Sequence, residues 1–321
     1  MNNLISLEDK IYVAGSTGMV GRSICKALKK DGYGNSKLGG KLLVTNRKDL
    51  DLTNNKLVNE WFDKNKPKVV ILAAAKVGGI HANAASPATF LLENLKIQTN
   101  VIEAAWRNNA KRLLFLGSSC IYPKFANQPI TEESLLAGEL ESSNEWYAIA
   151  KIAGLKLCAS LRLQYGFDTI SLMPTNLYGP GDNYHPFNSH VMASLLRKFY
   201  EAKKRNLSEV ICWGDGSPMR EFMHVDDLAQ AAIFALQKWN PDSIQAPKTD
   251  KGEPLYYLNV GTGNDISIKD LAEKIASILD YKGKIIWDTT KPNGTPKKLL
   301  NISRLSKLGW DPKITLNDGI I

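Results

Sequence analysis

Residues 11–21 read Ile-Tyr-Val-Ala-Gly-Ser-Thr-Gly-Met-Val-Gly, so an apolar run leads directly into glycines at positions 15, 18 and 21. The apolar run predicts a buried strand, and a helical pattern starts at Met19. Glycines at such a turn let the backbone approach a pyrophosphate, while the helix N-terminus supplies N–H donors and a positive dipole. We therefore predict a dinucleotide site, with an ordinary strand–helix turn as the alternative, at Gly15, Ser16, Thr17, Gly18, Met19, Val20 and Gly21.

Apolar runs and helical patterns keep alternating through the first half of the chain. Strands are predicted at 11–14, 42–45, 69–73, 112–116 and 169–173, and helices at 19–30, 54–65, 88–108 and 147–165. Such repeated strand–helix units predict an α/β fold with a Rossmann-type, doubly wound parallel sheet.

After residue 174 the pattern loosens into turn-rich segments and shorter elements. Strands are predicted at 210–213 and 257–260, and helices at 190–203, 225–238 and 268–279. We expect residues 1–174 to form the dinucleotide-binding Rossmann domain. Residues 175–321 are expected to form mainly a smaller α/β substrate lobe, with part of the chain returning to the Rossmann sheet.

Composition narrows the class of protein. The chain has 321 residues and a formal charge of +9, but its Lys and Arg residues are scattered rather than clustered. This pattern favours an anionic small molecule over nucleic acid as the partner. No apolar run approaches the ~20 residues that span a bilayer, and the N-terminus lacks a signal pattern. We therefore expect a cytoplasmic protein without a membrane partner.

The four cysteines lie far apart and show no CxxC spacing, so no metal site is predicted. Cys25, Cys158 and Cys212 are expected to be small, buried side chains in a reducing compartment. Cys120 differs, because it lies just after a predicted strand, between Gly117-Ser118-Ser119 and Ile121-Tyr122-Pro123.

The end of the second predicted strand indicates the cofactor. An NAD-specific site places a carboxylate there to bind the ribose 2′-hydroxyl. This chain has Asn46, Arg47 and Lys48 instead, and a guanidinium suits a 2′-phosphate. NADP is favoured over NAD, although a solvent-exposed basic turn remains an alternative explanation.

Tyr147 and Lys151 form the predicted catalytic pair. Their spacing places a phenol and an ammonium one turn apart on a helix. We expect the lysine to lower the pKa of the tyrosine, so that the phenol exchanges a proton near neutral pH. Ser118, at the carboxyl end of the fourth strand, can hydrogen-bond a substrate oxygen during hydride transfer.

Together these motifs resemble the extended short-chain dehydrogenase/reductase family, whose members act largely on nucleotide sugars. Further stretches make the resemblance more specific, to the bifunctional epimerase–reductases that act on a GDP-4-keto-6-deoxy sugar. These stretches are residues 73–80, 117–124, 174–179, 188–190, 219–227 and 294–300. The resemblance covers nearly the whole chain and implies an NADP-dependent oxidoreductase with epimerase activity.

The resemblance also implies roles for individual residues. Ser118, Tyr147 and Lys151 would carry out hydride transfer, while Cys120 and His190 would be the base and acid that invert carbons 3 and 5. The NADP site would include Arg47, Leu116, Gly117, Ser118, Ser119, Tyr147, Lys151, Pro174, Thr175, Asn176, Leu177 and His190. The GDP-sugar would contact Lys198, Trp213, Arg220 and Asn293.

Two positions depart from the family pattern. Thr17 stands where the family commonly has arginine, which assigns more of the 2′-phosphate recognition to Arg47. Asn293 stands where the family commonly has aspartate; its amide can hydrogen-bond a nucleotide or sugar but cannot pair with a cation.

Other functions remain to be weighed. A sugar dehydratase of this fold would need an acid/base carboxylate beside the catalytic serine, where this chain has Ser119 and Cys120. A 4-epimerase would need no Cys120–His190 pair, and a non-catalytic NADP sensor would need neither Tyr147 nor Lys151. We also expect a homodimer that packs through the long helices of the sheet domain.

Overall fold

The computed structural model describes residues 3–186, 188–291 and 293–321. Its strands, in chain order, are β1 (Lys10–Ala14), β2 (Lys41–Val44), β3 (Val69–Leu72), β4 (Arg112–Leu116), β5 (Thr169–Pro174), β6 (Asn176–Tyr178), β7 (Glu209–Trp213), β8 (Met219–His224), β9 (Tyr257–Val260), β10 (Asp265–Ser267), β11 (Lys284–Asp288) and β12 (Lys297–Lys298). Its α-helices are α1 (Met19–Lys30), α2 (Asn55–Asn65), α3 (Ile80–Ala85), α4 (Pro87–Arg107), α5 (Glu145–Tyr165), α6 (Val191–Lys204), α7 (Val225–Lys238), α8 (Ile268–Ile278), α9 (Ser303–Lys307) and α10 (Leu316–Ile320).

The central sheet has six strands in the order β2-β1-β3-β4-β5-β9. All neighbouring strands are parallel. The chain moves outward from β1 to β2, then returns to place β3 on the other side of β1. Ligands of such sheets bind outside the carboxyl ends of the strands where the order reverses. Here that point lies between β1 and β3, directly beside the glycine loop.

Both faces of this sheet are covered, as the continuous apolar runs of its strands require. Ile11 and Val13 face a core that includes residues of α1 and α7. Tyr12 and Ala14 face the opposite core, to which α2, α4 and α5 contribute. The alternation follows from the two-residue period of a strand. The predicted Rossmann-type fold class is therefore confirmed.

Most predicted element boundaries agree with the structure to within two residues. The strand predicted at 112–116 coincides with β4, and the helices predicted at 19–30 and 225–238 coincide with α1 and α7. The last strand of the sheet, β9, pairs with β5. Sequence patterns missed β6, β10 and β12, which span only two or three residues, and also β8 and β11, in which charged residues interrupt or flank the apolar positions.

These missed strands all lie in the second half of the chain, after residue 175. Strand β8 lies between β10 and β12 and also pairs with β6, while β7 pairs with β11. The buried carboxylate of Glu221 joins β8 to its surroundings by accepting hydrogen bonds from the N–H groups of Thr262, Gly263 and Leu300, at 2.6, 2.7 and 3.0 Å. In the described ranges, no helix combines the length and apolar character needed to cross a bilayer.

Candidate active site

A cleft of about 1090 Å³ opens at the carboxyl ends of the parallel strands. Sites for single small ligands usually measure about 300–1,000 Å³, so this cleft has room for a dinucleotide and a second ligand. Every site residue named from the sequence lines it except Ser16. The Ser16 hydroxyl instead donates a hydrogen bond to the carbonyl of Thr45 at 3.1 Å, which ties the glycine loop to the end of β2.

The glycine loop is shaped for close backbone approach. Gly15 has a φ of +88°, and a Cβ there would lie 2.6 Å from the backbone nitrogen of Ala74. A Cβ at Gly21 would lie 2.1 Å from the carbonyl oxygen of Gly15, whereas a Cβ at Gly18 would find its nearest neighbour at 3.6 Å. No side chain caps the N-terminus of α1, which leaves first-turn N–H groups for an anion. The loop therefore fits the pyrophosphate of a dinucleotide.

Ser118, Tyr147 and Lys151 meet at the carboxyl end of β4. A side-chain hydrogen bond joins Ser118 to the Tyr147 phenol, and the Lys151 ammonium lies 5.8 Å from the centre of the Tyr147 ring. Lys151 is buried and donates a hydrogen bond to the carbonyl of Leu116 at 2.7 Å. Strand β4 and helix α5 thus bring the three predicted hydride-transfer residues together.

The electrostatics of this group differ from the expectation. Burial raises the pKa of Tyr147 above its ordinary value of 10.0; the nearby Cys120 adds to the rise and Ser118 opposes it. Burial also lowers the pKa of Lys151 from 10.5 to about 8. The expected lowering of the Tyr147 pKa is therefore wrong, because desolvation of the phenol is the largest influence on it. Tyr147 keeps its proton near neutral pH.

Cys120 lies in the 3₁₀ turn Ser119–Ile121 directly after β4, where its N–H donates a hydrogen bond to the Ser118 hydroxyl at 3.2 Å. Its sulfur is 3.3 Å from the Nδ2 of Asn144 and 3.7 Å from the Nζ of Lys298. An amide N–H and an ammonium are donors that complement a sulfur anion. Cys158 and Cys212 are buried as expected, whereas Cys25 is only partly buried.

Sequence reasoning missed Asn144 and Lys298. Asn144 precedes α5 by one residue, three positions before Tyr147, which was a usable signal. Lys298 is far away in the sequence and reaches the site because β12 pairs with β8, with Lys298 opposite Arg220. The Arg220 guanidinium is itself attracted to Cys120 and Glu141. Several donors and cations therefore converge on one thiol.

His190 lines another part of the cleft wall. It is the residue before α6 and makes no capping hydrogen bond with its side chain, which leaves the imidazole available to the cleft. Desolvation lowers the pKa of His190, and the carboxylate of Asp182 opposes that shift. Asp182, which also lines the cleft, was not identified from the sequence.

The four predicted substrate residues line the cleft, and all of them come from the part of the chain after residue 174. Trp213 is 47% exposed, with the ammonium groups of Lys198 and Lys291 at 5.6 and 5.7 Å from its ring centre. Lys198 also donates a hydrogen bond to the carbonyl of Ile211 at 2.8 Å. Asn293 accepts one from the N–H of Asp215 at 3.0 Å, so part of its amide holds the loop after β7. An aromatic face beside cations suits a nucleoside diphosphate.

Comparison with known proteins agrees with this geometry. Residues 11–246 match the NAD dependent epimerase/dehydratase family. The chain is 51% identical to GDP-L-fucose synthase 1 of Arabidopsis thaliana, covering 97% of this chain and 90% of that protein. It is 47% identical to GDP-L-fucose synthase of Escherichia coli (strain K12), covering 98% and 94%. The solved structure of MlghC, a GDP-mannoheptose C4 reductase from Campylobacter jejuni with NADP bound, superposes with a TM-score of 0.85 at 36% identity, covering 98% and 97%. The chain therefore belongs to the NAD dependent epimerase/dehydratase family, in the group that contains the GDP-L-fucose synthases.

Proposed function

We propose that this protein converts GDP-4-keto-6-deoxy-D-mannose into GDP-L-fucose, by inverting carbons 3 and 5 and then reducing the 4-keto group with NADPH. The observation that carries the proposal is the position of Cys120. Its sulfur lies beside Asn144 and Lys298 and within electrostatic reach of Tyr147 and Lys151, in one cleft with His190. A thiol beside an amide donor and an ammonium suits proton abstraction, a step that epimerisation needs and ketone reduction does not.

The epimerisation uses the acidity of protons next to a ketone. The Cys120 thiolate removes the proton from one such carbon, and the charge moves to the carbonyl oxygen as an enolate. Hydrogen-bond donors at Ser118 and Tyr147 stabilise that oxygen. His190 then returns a proton to the opposite face of the carbon, which inverts it. The same pair serves the second carbon after the sugar has turned in the cleft and proton exchange with solvent has removed the proton from Cys120 and returned one to His190.

In the reduction, Tyr147 acts as the proton donor. The hydride for carbon 4 comes from NADPH when it is bound. Tyr147, which is protonated near neutral pH, transfers its proton to the carbonyl oxygen. Lys151, with a pKa of about 8, keeps most of its positive charge at neutral pH and stabilises the phenolate that remains.

The two ends of the cleft hold the two ligands. NADPH is held by the glycine loop (residues 15–21) and by the predicted residues within 116–119 and 174–177. Arg47 binds its 2′-phosphate. Arg220 pairs with the diphosphate of the GDP-sugar through its planar guanidinium. Trp213, flanked by Lys198, covers the sugar or the guanine. The side-chain oxygen of Asn293 accepts a hydrogen bond from the loop after β7, and its amide NH₂ group contacts the GDP-sugar.

The proposal is tested by incubating the protein with NADPH and GDP-4-keto-6-deoxy-D-mannose. We expect the nicotinamide absorbance to fall and NMR to identify GDP-L-fucose. Without NADPH, in deuterated water, we expect deuterium at carbons 3 and 5 of the recovered sugar. A 4-epimerase would change the sugar without consuming NADPH, and a non-catalytic NADP sensor would bind NADPH and leave the sugar unchanged. Either result would refute the proposal.

We propose further that residues 1–174 and 175–321 act as cofactor and substrate domains, and that two protomers pack through α4 and α5. Exposed apolar side chains on these helices support the dimer. Leu92 is 54%, Leu163 71% and Tyr165 53% exposed, and burial against a second copy would remove such surface from water. A monomeric mass in solution would contradict this packing. The cytoplasmic location stays a prediction.

A further inference from the structure

Arg47 does not stand alone at the cofactor end of the cleft. Its Nη2 lies 3.7 Å from the Oε2 of Glu93, and the other carboxylate oxygen of Glu93 lies 3.7 Å from the Nζ of Lys76. All three residues line the cleft. Glu93, on α4, is 25% exposed at its side chain, and Arg47 is 72% exposed. One carboxylate is therefore placed between two cations that face the cofactor.

The other polar residues near Arg47 are engaged in hydrogen bonds of their own, unlike Glu93 in its pair with Arg47. Asp51 also attracts Arg47, but its carboxylate accepts hydrogen bonds from the Thr53 hydroxyl and N–H, at 2.8 and 3.0 Å. The Asn46 side chain accepts from the N–H of Lys48 at 2.8 Å. Among the residues that the structure describes, Glu93 is the carboxylate within ion-pair distance of Arg47. Because Thr17 carries no charge, Arg47 is the cation of the predicted cofactor site that can pair with a 2′-phosphate.

We infer that Glu93 sets the preference between NADPH and NADH by competing with the 2′-phosphate for Arg47. Both anions pair with the same guanidinium, and Glu93 adds a like charge to the wall that the phosphate approaches. NADH lacks that phosphate and does not meet the competition. Glu93 therefore weakens NADPH binding selectively. This inference rests on the proposed use of NADPH and is independent of the sugar chemistry.

The test replaces the charge and keeps the shape. For Glu93→Gln, titration followed by nicotinamide fluorescence should give NADPH binding about fivefold tighter, while NADH binding changes much less. Fivefold corresponds to about 1 kcal/mol, the upper range for an exposed ion pair. Because both charges are solvent-accessible, the gain should shrink in high salt. Glu103→Gln is the matched control: Glu103 lies on the same helix and pairs with Arg107 at 2.8 Å, outside the cleft lining.

A double-mutant cycle assigns the effect to Arg47. Arg47→Met should weaken NADPH binding, and Glu93→Gln should tighten it much less in that background than in the wild type. Unchanged or weaker NADPH binding in Glu93→Gln would overturn the inference, as would equal tightening of both cofactors. Thermal unfolding of each variant checks the fold. If Glu93→Gln leaves NADPH affinity unchanged but the wild type makes GDP-L-fucose, only this inference fails. If the wild type binds neither cofactor, the proposed function fails as well.

Discussion

The two ends of the cleft are constructed differently. At the cofactor end, the glycine loop lies within one strand–helix unit, and Arg47 follows the next strand. At the sugar end, the groups around Cys120 come from segments as far apart as 178 residues, the separation between Cys120 and Lys298. The glycine loop and Arg47 are therefore products of local sequence. The sugar end depends on the register of β8 and β12.

This difference separates two kinds of functional residue. A group that works through backbone geometry can be recognised from the motif that creates the geometry. The role of a group that acts through its charge can be predicted only when its neighbours are known, because electrostatic interactions depend on distance and desolvation rather than on sequence position. The following predictions test this distinction, from the largest expected effect to the smallest.

Removing the proposed base should affect only the sugar end. Cys120→Ser should lower deuterium uptake at carbons 3 and 5 by about 10²–10⁴-fold, the usual contribution of a positioned acid or base. NADPH affinity should not change. Mass spectrometry of the recovered sugar and a fluorescence titration measure the two quantities. Cys25→Ala, on α1, is the control and should keep wild-type exchange. Unaltered deuterium uptake in Cys120→Ser would refute its role.

Two glycines should separate packing from ligand approach at the cofactor end. In Gly21→Ala the new Cβ would lie 2.1 Å from a backbone oxygen, so the free energy of unfolding should fall by about 1–3 kcal/mol. In Gly18→Ala the new Cβ would lie 3.6 Å from its nearest neighbour, so the free energy of unfolding should stay unchanged. The substitution should still weaken NADPH binding, because the second glycine of such a loop lets the backbone approach the pyrophosphate. Denaturant unfolding and NADPH titration on both variants check this. Equal stability of the two variants would contradict the packing assignment.

Lys151 should leave a signature in the pH dependence of stability. Its pKa is about 8 in the folded protein and ordinarily 10.5, so its charged form destabilises the fold. That destabilisation is fully present below pH 8 and disappears as the pH rises to 10.5. Stability should therefore rise across this window relative to Lys151→Met, with a slope of at most about 1.4 kcal/mol per pH unit. Urea unfolding of both proteins at several pH values measures the difference. A difference that does not vary with pH would show that Lys151 titrates normally.

Lys298 tests whether the pairing of β12 with β8 contributes to the reactivity of Cys120. Lys298→Met should slow alkylation of Cys120 by iodoacetamide at pH 7 about threefold, because the ammonium 3.7 Å from the sulfur complements the reactive thiolate. Lys297→Met is the adjacent control, since Lys297 pairs with Asp265 at 3.2 Å. Peptide mass spectrometry in a Cys25→Ala background follows the modification. Equal rates for both lysine variants would remove Lys298 from the environment of the thiol.

The sequence by itself determined the architecture and the identity of the reactive groups. Two-residue alternation in strands such as β1, glycines at 15 and 21, and the four-residue spacing of Tyr147 and Lys151 are local properties. Each could therefore be read along the chain. Strands such as β8 and β12 could not, because their formation depends on pairing partners distant in sequence.

Only the tertiary structure decided how those groups are tuned. It placed Asn144 and Lys298 beside Cys120, and Glu93 between Arg47 and Lys76. It also reversed the expected direction of the Tyr147 pKa shift through burial. Hydration and Coulomb energy depend on which atoms surround a group, and those atoms come from segments that only the folded chain brings together.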